Sequence, residues 1–127
     1  MVNNRMFFRC SICGNIIGMI HDSGVTPICC NEQMTLLTAN TTDAAQEKHV
    51  PVAMRNSNAL MVTVGEVEHP MTEAHHIMWI AAASKNRTQR VTLLSTGVPS
   101  ATFPLEEDGP VTVYAYCNLH GLWASEA

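Results

Sequence analysis

The chain has 127 residues, a hydrophobic share of 46% and a formal charge of -4. This length fits one domain, or one domain with a small appendage, and the composition supports a packed core rather than disorder. The acidic balance disfavours nucleic acid as a partner. No apolar run approaches the ~20 residues that a membrane helix needs, so no membrane association is expected.

The cysteines and the first residues together predict the cellular compartment. Met6-Phe7-Phe8 is too short an apolar run for a signal peptide. We therefore expect a cytoplasmic protein, in which thiols stay reduced. The five cysteines then fit metal ligands better than disulfides, since four come before residue 31 and the fifth stands alone at position 117.

The segment 1–37 carries the four clustered cysteines and is followed by a polar connector at 38–43. A piece of about 37 residues lies below the ~40 at which a chain usually needs a metal or another staple to fold. Cys10-Ser11-Ile12-Cys13-Gly14 forms a C-x-x-C-G knuckle, and Cys29-Cys30 supplies a second pair. Four thiolates so placed predict a tetrahedral site for zinc or a single iron, and spacing does not separate the two metals.

The second cysteine pair is the more informative one. Neighbouring residues of a regular strand point to opposite faces, so both sulfurs reach one ion only if the chain turns locally. This vicinal pair after a C-x-x-C-G knuckle resembles desulforedoxin, a small rubredoxin-like iron module. The resemblance covers roughly residues 6–37, and it implies a redox-active iron bound by Cys10, Cys13, Cys29 and Cys30.

The rest of the chain alternates short apolar stretches with turn signals and shows no long helical period. The pattern predicts strands near 60–64, 77–81, 91–94 and 111–116. Leu60, Val62 and Val64 share one face of the first strand, and Ile77 shares a face with Trp79 and Ala81 in the second. Several short strands at this spacing predict an antiparallel sandwich.

A second group of metal-ligating residues follows the connector. A C-x-x-H pair at the end of the last predicted strand brings a thiolate and an imidazole close together, although a buried free cysteine is the commoner reading of such a pair. Several further histidines, two of them at or beside prolines, favour a metal site. Two are adjacent, so only one faces an ion from a strand, and spacing does not choose between them. The group comprises His49, His69, His75, His76, Cys117 and His120.

Four motifs together resemble the desulfoferrodoxin family, the two-centre superoxide reductases. They are Glu47-Lys48-His49-Val50-Pro51, His69-Pro70-Met71, His75 before Ile77-x-Trp79-Ile80, and Cys117-Asn118-Leu119-His120-Gly121-x-Trp123. The resemblance spans nearly the whole chain. It implies a catalytic iron with His49, His69, His75 and His120 as equatorial ligands and Cys117 as the axial ligand. One departure is Ala81, where an acidic residue is common in the family, but no ligand is touched.

The resemblance also implies architecture and activity. We expect a mainly β protein with a desulforedoxin-like domain at 1–37, an immunoglobulin-like antiparallel β-sandwich at 38–127, and a homodimer. The expected reaction is one-electron reduction of superoxide to hydrogen peroxide, a detoxification, with electrons from a rubredoxin-like donor. Each chain would hold two mononuclear iron centres. Lys48 would steer superoxide to the catalytic iron, and Glu47 would cap the ferric iron after turnover.

Two other classes of protein remain as alternatives. A copper electron-transfer sandwich uses one histidine, a nearby Cys and His, and an axial methionine, but no methionine follows His120. A binding module with two structural zinc sites is the other alternative, and zinc prefers four ligands rather than five. Within the C-x-x-H turn, we also expect the backbone amides of Asn118 and Leu119 to donate to the Cys117 sulfur.

Overall fold

The computed structural model describes residues 1–127, which form twelve short strands and one helical turn. The chain divides into two compact units, one of Arg5–Thr38 and one of Met1–Asn4 with Ala39–Ala127. The first four residues thus pack with the larger unit. No helix is long and apolar enough to cross a membrane.

The smaller unit is built from five very short strands: β1 (Met6–Arg9), β2 (Ile16–Met19), β3 (Ile28–Cys29), β4 (Glu32–Gln33) and β5 (Thr35–Leu36). Strands β2, β1 and β5 form one antiparallel sheet, and β3 pairs with β4 in a hairpin. Its buried core consists of Phe8, Cys10 and Met34. So few buried side chains agree with the expectation that this piece needs a metal to hold it.

The larger unit is a sandwich of two antiparallel sheets, as predicted. It begins with the helical turn α1 (Gln46–His49) and continues with β6 (Pro51–Arg55), β7 (Ala59–Val64), β8 (Ile77–Ala83), β9 (Thr88–Thr92), β10 (Ser100–Pro104), β11 (Thr112–Cys117) and β12 (Gly121–Glu126). One sheet has the order β10-β7-β6 and the other has the order β12-β11-β8-β9. Buried residues of both sheets form one hydrophobic cluster between them.

The predicted alternation holds in β7 and breaks in β8. Leu60, Val62 and Val64 are buried in β7, while Met61 between them is half exposed. In β8, however, Ile77 joins Ile80 in the core cluster, so it does not share a face with Trp79. The cause is a register shift against β11 between Tyr116 and Cys117, where an extra residue of β8 reverses the alternation.

In the larger unit, the sequence pattern predicts no strand where β6, β10 and β12 lie, and it shifts a fourth strand. Strands β6, β10 and β12 have weak alternation. The five short strands of the smaller unit are also not predicted from the pattern. The strand expected at 91–94 is β9 (Thr88–Thr92), a mostly exposed edge strand. Leu94 lies beyond it and is 80% exposed, so its apolar character does not mark a buried position. An edge strand with one solvated face gives little hydrophobic signal.

The antiparallel register brings several strand ends together at one end of each sheet. Pro51 at the start of β6 pairs with Val64 at the end of β7. In the other sheet, Cys117 at the end of β11 pairs with Ile77 at the start of β8 and with Gly121 at the start of β12. The cysteine and histidines of the second predicted site lie at or next to these ends.

The loop after β7 packs closely against α1. A Cβ atom added at Gly65 would lie 2.6 Å from the backbone oxygen of Glu47 and 2.9 Å from the backbone carbon of Lys48. The same Glu47 oxygen accepts a hydrogen bond from the amide of Val67 at 2.9 Å. The absence of a side chain at Gly65 therefore allows the helical turn to sit where it does.

We expect Gly65→Ala to destabilise the larger unit by about 1–3 kcal/mol, because backbone rather than a flexible side chain fills the space that the methyl group needs. Denaturant unfolding of the two proteins measures this difference. Gly97→Ala is the matched control in the same unit, since its added Cβ would meet its nearest atom at 3.3 Å. Equal stability losses in the two variants would contradict the expectation.

Candidate metal centres

The four cysteines of the smaller unit form a compact sulfur cluster. All four sulfur atoms lie within 4.8 Å of one another. The Cys13 and Cys29 sulfurs are 3.6 Å apart, and those of Cys29 and Cys30 are 4.0 Å apart. A tetrahedral metal with bonds of about 2.3 Å to sulfur requires sulfur–sulfur distances of about 3.8 Å. The cluster therefore fits one four-coordinate ion.

Two local turns create this cluster. After β1, the amide of Gly14 donates to the Cys10 oxygen at 3.0 Å, and Gly14 has a φ of +81°. Cys30 and Asn31 both have positive φ angles, 54° and 62°, and form the two-residue turn between β3 and β4. The expected local turn at the vicinal cysteines is confirmed, and it brings both sulfurs to one side.

Hydrogen bonds and the closeness of the four thiols shift their pKa values in opposite directions. The backbone amides of Cys13 and Ile12 lower the pKa of Cys10 to about 6, because they stabilise its thiolate. The neighbouring thiols, Cys13 first, raise the pKa of Cys30 to about 12. Four thiolates so close together repel one another, and a bound cation removes that repulsion.

The second cluster is a ring of four imidazoles in the larger unit. Going round it in the order His49, His69, His75, His120, neighbouring ring centroids lie 4.6 to 5.1 Å apart with interplanar angles of 76° to 86°. His49 and His75 stand across the ring from each other, at 6.3 Å and 33°. The four rings thus form a square in which neighbouring rings are almost perpendicular.

The nitrogen atoms facing the centre of this square have the spacing of metal ligands. The His49 Nε2 atom is 3.2 Å from His69 Nε2 and 3.1 Å from His120 Nδ1. Four nitrogens in a plane around a metal, with bonds of about 2.1 Å, lie about 3.0 Å from their neighbours. The buried Nε2 atom of His75 has no hydrogen-bond partner. A cation at the centre would satisfy all four nitrogens.

Cys117 lies next to all four imidazoles of the square. Its side chain is fully buried, and its sulfur lies within 4.8 Å of the ligand atoms of His49, His69 and His75. The sulfur is 3.8 Å from His120 Nδ1. Burial raises the pKa of the Cys117 thiol, so a nearby cation is needed to keep it as a thiolate at neutral pH.

Backbone amides oppose the effect of burial on Cys117, but one of the two differs from the expected pair. The amides of Leu119 and His120 donate to the sulfur and lower its pKa. The amide of Asn118 donates instead to the His76 oxygen at 3.1 Å, because strand pairing continues one residue beyond Cys117. The expectation was therefore right for Leu119 and wrong for Asn118.

Backbone carbonyls orient two of the imidazoles. The Nδ1 atoms of His49 and His69 lie 2.7 Å from the backbone oxygens of Ala45 and Pro70 respectively. A carbonyl oxygen only accepts, so both Nδ1 atoms carry the proton and both Nε2 atoms keep a free lone pair toward the centre. Such hydrogen bonds fix the tautomer and the orientation of histidine ligands.

Three of the imidazoles are held in the neutral form that metal binding requires. Burial lowers the pKa of His69 to about 4 and also lowers the pKa values of His49 and His75. Coulombic repulsion between the rings acts in the same direction. A neutral imidazole offers its lone pair to a cation, whereas an imidazolium repels it.

Glu47 and Lys48 lie on the helical turn that ends at His49, and both are exposed while His49 is buried. The Lys48 charge contributes to lowering the pKa values of His49 and His75, and the Glu47 charge opposes it at His49. Both charges therefore act on the imidazole square from the solvent side.

The remaining histidines and Ala81 lie outside the square. His76 points its Nδ1 atom to the Thr72 oxygen at 2.9 Å, so of the two adjacent histidines only His75 joins the cluster. Ala81 is buried in the middle of β8 and contributes no ligand atom.

Sequence reasoning gave no supporting role to Trp123. Its indole ring stacks on His49 at 4.8 Å, and its Nε1 atom donates to the His120 oxygen at 3.2 Å. Trp123 is almost fully buried, and it supports the His49 ring and the backbone of His120 at once. The position of Trp123, three residues after the candidate ligand His120, was the sequence feature that could have indicated this role.

Comparisons with known proteins match both parts of the chain. A family model described as desulfoferrodoxin matches residues 41–126, and one described as the desulfoferrodoxin N-terminal domain matches residues 3–37. A desulfoferrodoxin from Syntrophotalea carbinolica is 45% identical over 126 residues, which cover 99% of both chains.

Solved structures of superoxide reductases share the fold. The superoxide reductase from Treponema pallidum aligns with a TM-score of 0.79 and 35% identity, over 96% of this chain and 98% of that one. A 1Fe superoxide reductase from Giardia intestinalis aligns with a TM-score of 0.56 and 32% identity, over 64% of this chain and 97% of that one. Desulfoferrodoxin domains bind iron, and the four-cysteine cluster and the imidazole square are two sites suited to it. The chain therefore belongs to the desulfoferrodoxin family.

Proposed function

We propose that this protein is a superoxide reductase that converts superoxide to hydrogen peroxide with one electron and two protons. The observation that carries the proposal is the square of four imidazoles with a buried thiol on one side. The similarity to superoxide reductases of known structure supports the same activity.

This geometry supports the residue assignment. The nitrogens of His49, His69, His75 and His120 and the sulfur of Cys117 would hold the catalytic iron. Iron bound there would supply the electron, and donation from the Cys117 thiolate would favour its transfer to superoxide. Cys10, Cys13, Cys29 and Cys30 bind the second mononuclear iron.

Substrate approaches the square from the side away from Cys117. The cysteine is fully buried, whereas His75 and His120 are partly exposed, so solvent and a small anion reach the cluster from the imidazole side. Water at that face supplies the two protons. The chain itself binds, orients and shields the reacting centre, and the thiolate stays out of contact with solvent.

The two exposed charged residues of α1 act on the substrate and on the metal centre. Lys48 attracts superoxide, since a unit charge about 6 Å away contributes roughly 0.7 kcal/mol in water, or about a threefold local enrichment. Glu47, next to it, offers a carboxylate oxygen to the centre after turnover. Their place directly before His49 supports both roles.

The wider setting is also part of the proposal. A rubredoxin-like protein supplies the electrons, the protein acts as a homodimer, and its role is the detoxification of superoxide in the cytoplasm. All five cysteines are free thiols in the structure, which suits a reducing compartment in which they remain available to metal. We take 1–37 and 38–127 as the two functional domains, each with its own iron, with residues 1–4 grouped with the larger unit in the fold.

The iron-loaded protein, supplied with an external reductant and generated superoxide, is expected to form hydrogen peroxide without releasing dioxygen. A dismutase would instead release dioxygen from half of the superoxide. Metal analysis and the absorption spectrum are measured on the same sample, with visible thiolate-to-iron bands expected for both centres.

Paired cysteine variants separate the two centres. Cys117→Ser is expected to abolish turnover and the bands of the catalytic centre, whereas Cys30→Ser should alter only the bands of the four-cysteine centre when a chemical reductant supplies electrons. Dioxygen release by the parent protein, or a copper-loaded or colourless zinc-loaded protein without turnover, would overturn the proposed function.

Lys48→Ala should slow the reaction with superoxide by about threefold at low ionic strength, because the steering charge is removed. Its rate should also depend less on salt than that of the parent protein, since salt screens the interaction that the variant lacks. Pulse-generated superoxide at several salt concentrations measures both quantities. Lys85→Ala, which removes an exposed lysine from the turn between β8 and β9, is the control, and equal effects of the two substitutions would remove the special role of Lys48.

Acid should destabilise the metal-free protein through its buried imidazoles. His69 has a pKa of about 4 in the folded chain and 6.5 as its ordinary value. Between these two values the unfolded chain binds more protons than the folded chain. The contribution of neutral His69 to the free energy of unfolding is therefore fully present above about pH 6.5 and is lost as the pH falls toward 4. Urea unfolding at pH 7 and pH 5 should therefore show a lower free energy at pH 5, with a smaller difference in His69→Phe. A pH-independent free energy in the parent protein would contradict this.

A further inference from the structure

The Asn118 side chain holds the two residues that flank His75. Its Nδ2 atom donates to the Ala74 oxygen at 3.0 Å, and its Oδ1 atom accepts from the His76 amide at 2.9 Å. The backbone amide of Asn118 adds a third bond, to the His76 oxygen at 3.1 Å. One residue of the C-x-x-H turn is thus bonded to both neighbours of His75, which lies in the loop before β8.

His75 differs from His49 and His69 in how its ring is held. The Nδ1 atoms of those two rings bond to backbone carbonyls, which fix their orientation directly. The His75 ring makes no hydrogen bond within the chain, and its buried Nε2 atom faces the centre of the square without a partner. The direction of this ring is therefore set through its backbone.

Two sets of hydrogen bonds fix that backbone. Thr72 turns the chain back on itself, since its hydroxyl accepts from the His75 amide at 3.1 Å and donates to the His75 oxygen at 3.2 Å. These bonds lie within one loop and do not relate it to the rest of the site. The pairing of Ile77 with Cys117 connects the end of that loop to β11. The Asn118 bonds add a direct link from the residue after Cys117 to both neighbours of His75.

We propose that Asn118 is a positioning residue that sets the distance and angle of His75 relative to Cys117. This inference rests on the proposed function, because it takes His75 and Cys117 as ligands of one iron. Asn118 follows Cys117 directly in the chain, and its side-chain amide is hydrogen-bonded to both neighbours of His75. It therefore fixes the positions of two ligands, His75 and Cys117, relative to each other. Outer partners that orient metal ligands usually change metal affinity or activity by 10- to 100-fold when they are removed.

The chain contains a control for this role. In the turn between β6 and β7, the Asn56 Oδ1 atom accepts from the Ala59 amide at 3.0 Å, and the Asn56 amide donates to the Ala59 oxygen at 3.0 Å. This turn lies at the opposite end of the sheet from Pro51 and Val64, next to which His49 and His69 stand. Replacing Asn56 removes an asparagine side-chain bond away from the metal centre.

The test compares Asn118→Ala, Asn56→Ala and the parent protein, all as iron-loaded full chains. Transfer of iron from the reduced protein to a chelator, the thiolate-to-iron absorption band and the electron paramagnetic resonance spectrum of the ferric centre are measured. We expect Asn118→Ala to lose iron from the catalytic centre about tenfold faster and to shift both spectra. Asn56→Ala should lower the free energy of unfolding without either change.

Cys117→Ser, measured in parallel, separates failure of this inference from failure of the proposed function. If its absorption band equals that of the parent protein, the ligand assignment itself is wrong. If the band depends on Cys117 but Asn118→Ala retains iron and spectra like the parent protein, Asn118 has no positioning role. If Asn118→Ala does not fold, the isosteric variant Asn118→Asp tests the same inference. It keeps the acceptor for the His76 amide but loses the donor to the Ala74 oxygen. It is therefore expected to lose iron faster than the parent protein, and iron loss at the parent rate would overturn the inference.

Discussion

The convergence of four imidazoles and one thiol on a common centre is the constraint around which the larger unit is organised. His49 and His69 adjoin the ends of β6 and β7 in one sheet, while His75, Cys117 and His120 adjoin the ends of β8, β11 and β12 in the other. The site therefore joins the two sheets at one end of the sandwich. Antiparallel register brings these ends together, and the packed core between the sheets keeps them there.

Burial gives these side chains the protonation states that suit a cation. It lowers the pKa values of three imidazoles, so they stay neutral, and it raises the pKa of Cys117, so its thiolate needs the charge of a metal. The chain supplies only partial compensation through the amides of Leu119 and His120. A metal at the centre would accept the lone pairs of the four imidazoles and would balance the negative charge of the Cys117 thiolate.

The two centres are supported by different means. In the smaller unit, tight turns at Gly14 and at Cys30 with Asn31 place sulfur atoms that are close in sequence. In the larger unit, the ligands come from distant segments, and outer contacts hold them: carbonyls for His49 and His69, and a stacked indole for His49. The first kind of site is local, and the second depends on the whole sandwich.

This difference explains what the sequence determined and what tertiary structure decided. The C-x-x-C-G knuckle, the vicinal pair and the alternation of Leu60, Val62 and Val64 report local geometry, so the sulfur cluster and the β7 face were predictable from residues alone. Resemblance of motifs pointed to the larger site, but spacing left His75 and His76 equivalent. The order of the imidazoles, the shifted face of Ile77 and the bonds of Asn118 depend on how β8 pairs with β11. The extra residue of β8 in this pairing is defined only relative to the partner strand, so hydrophobic periodicity within one strand does not encode it.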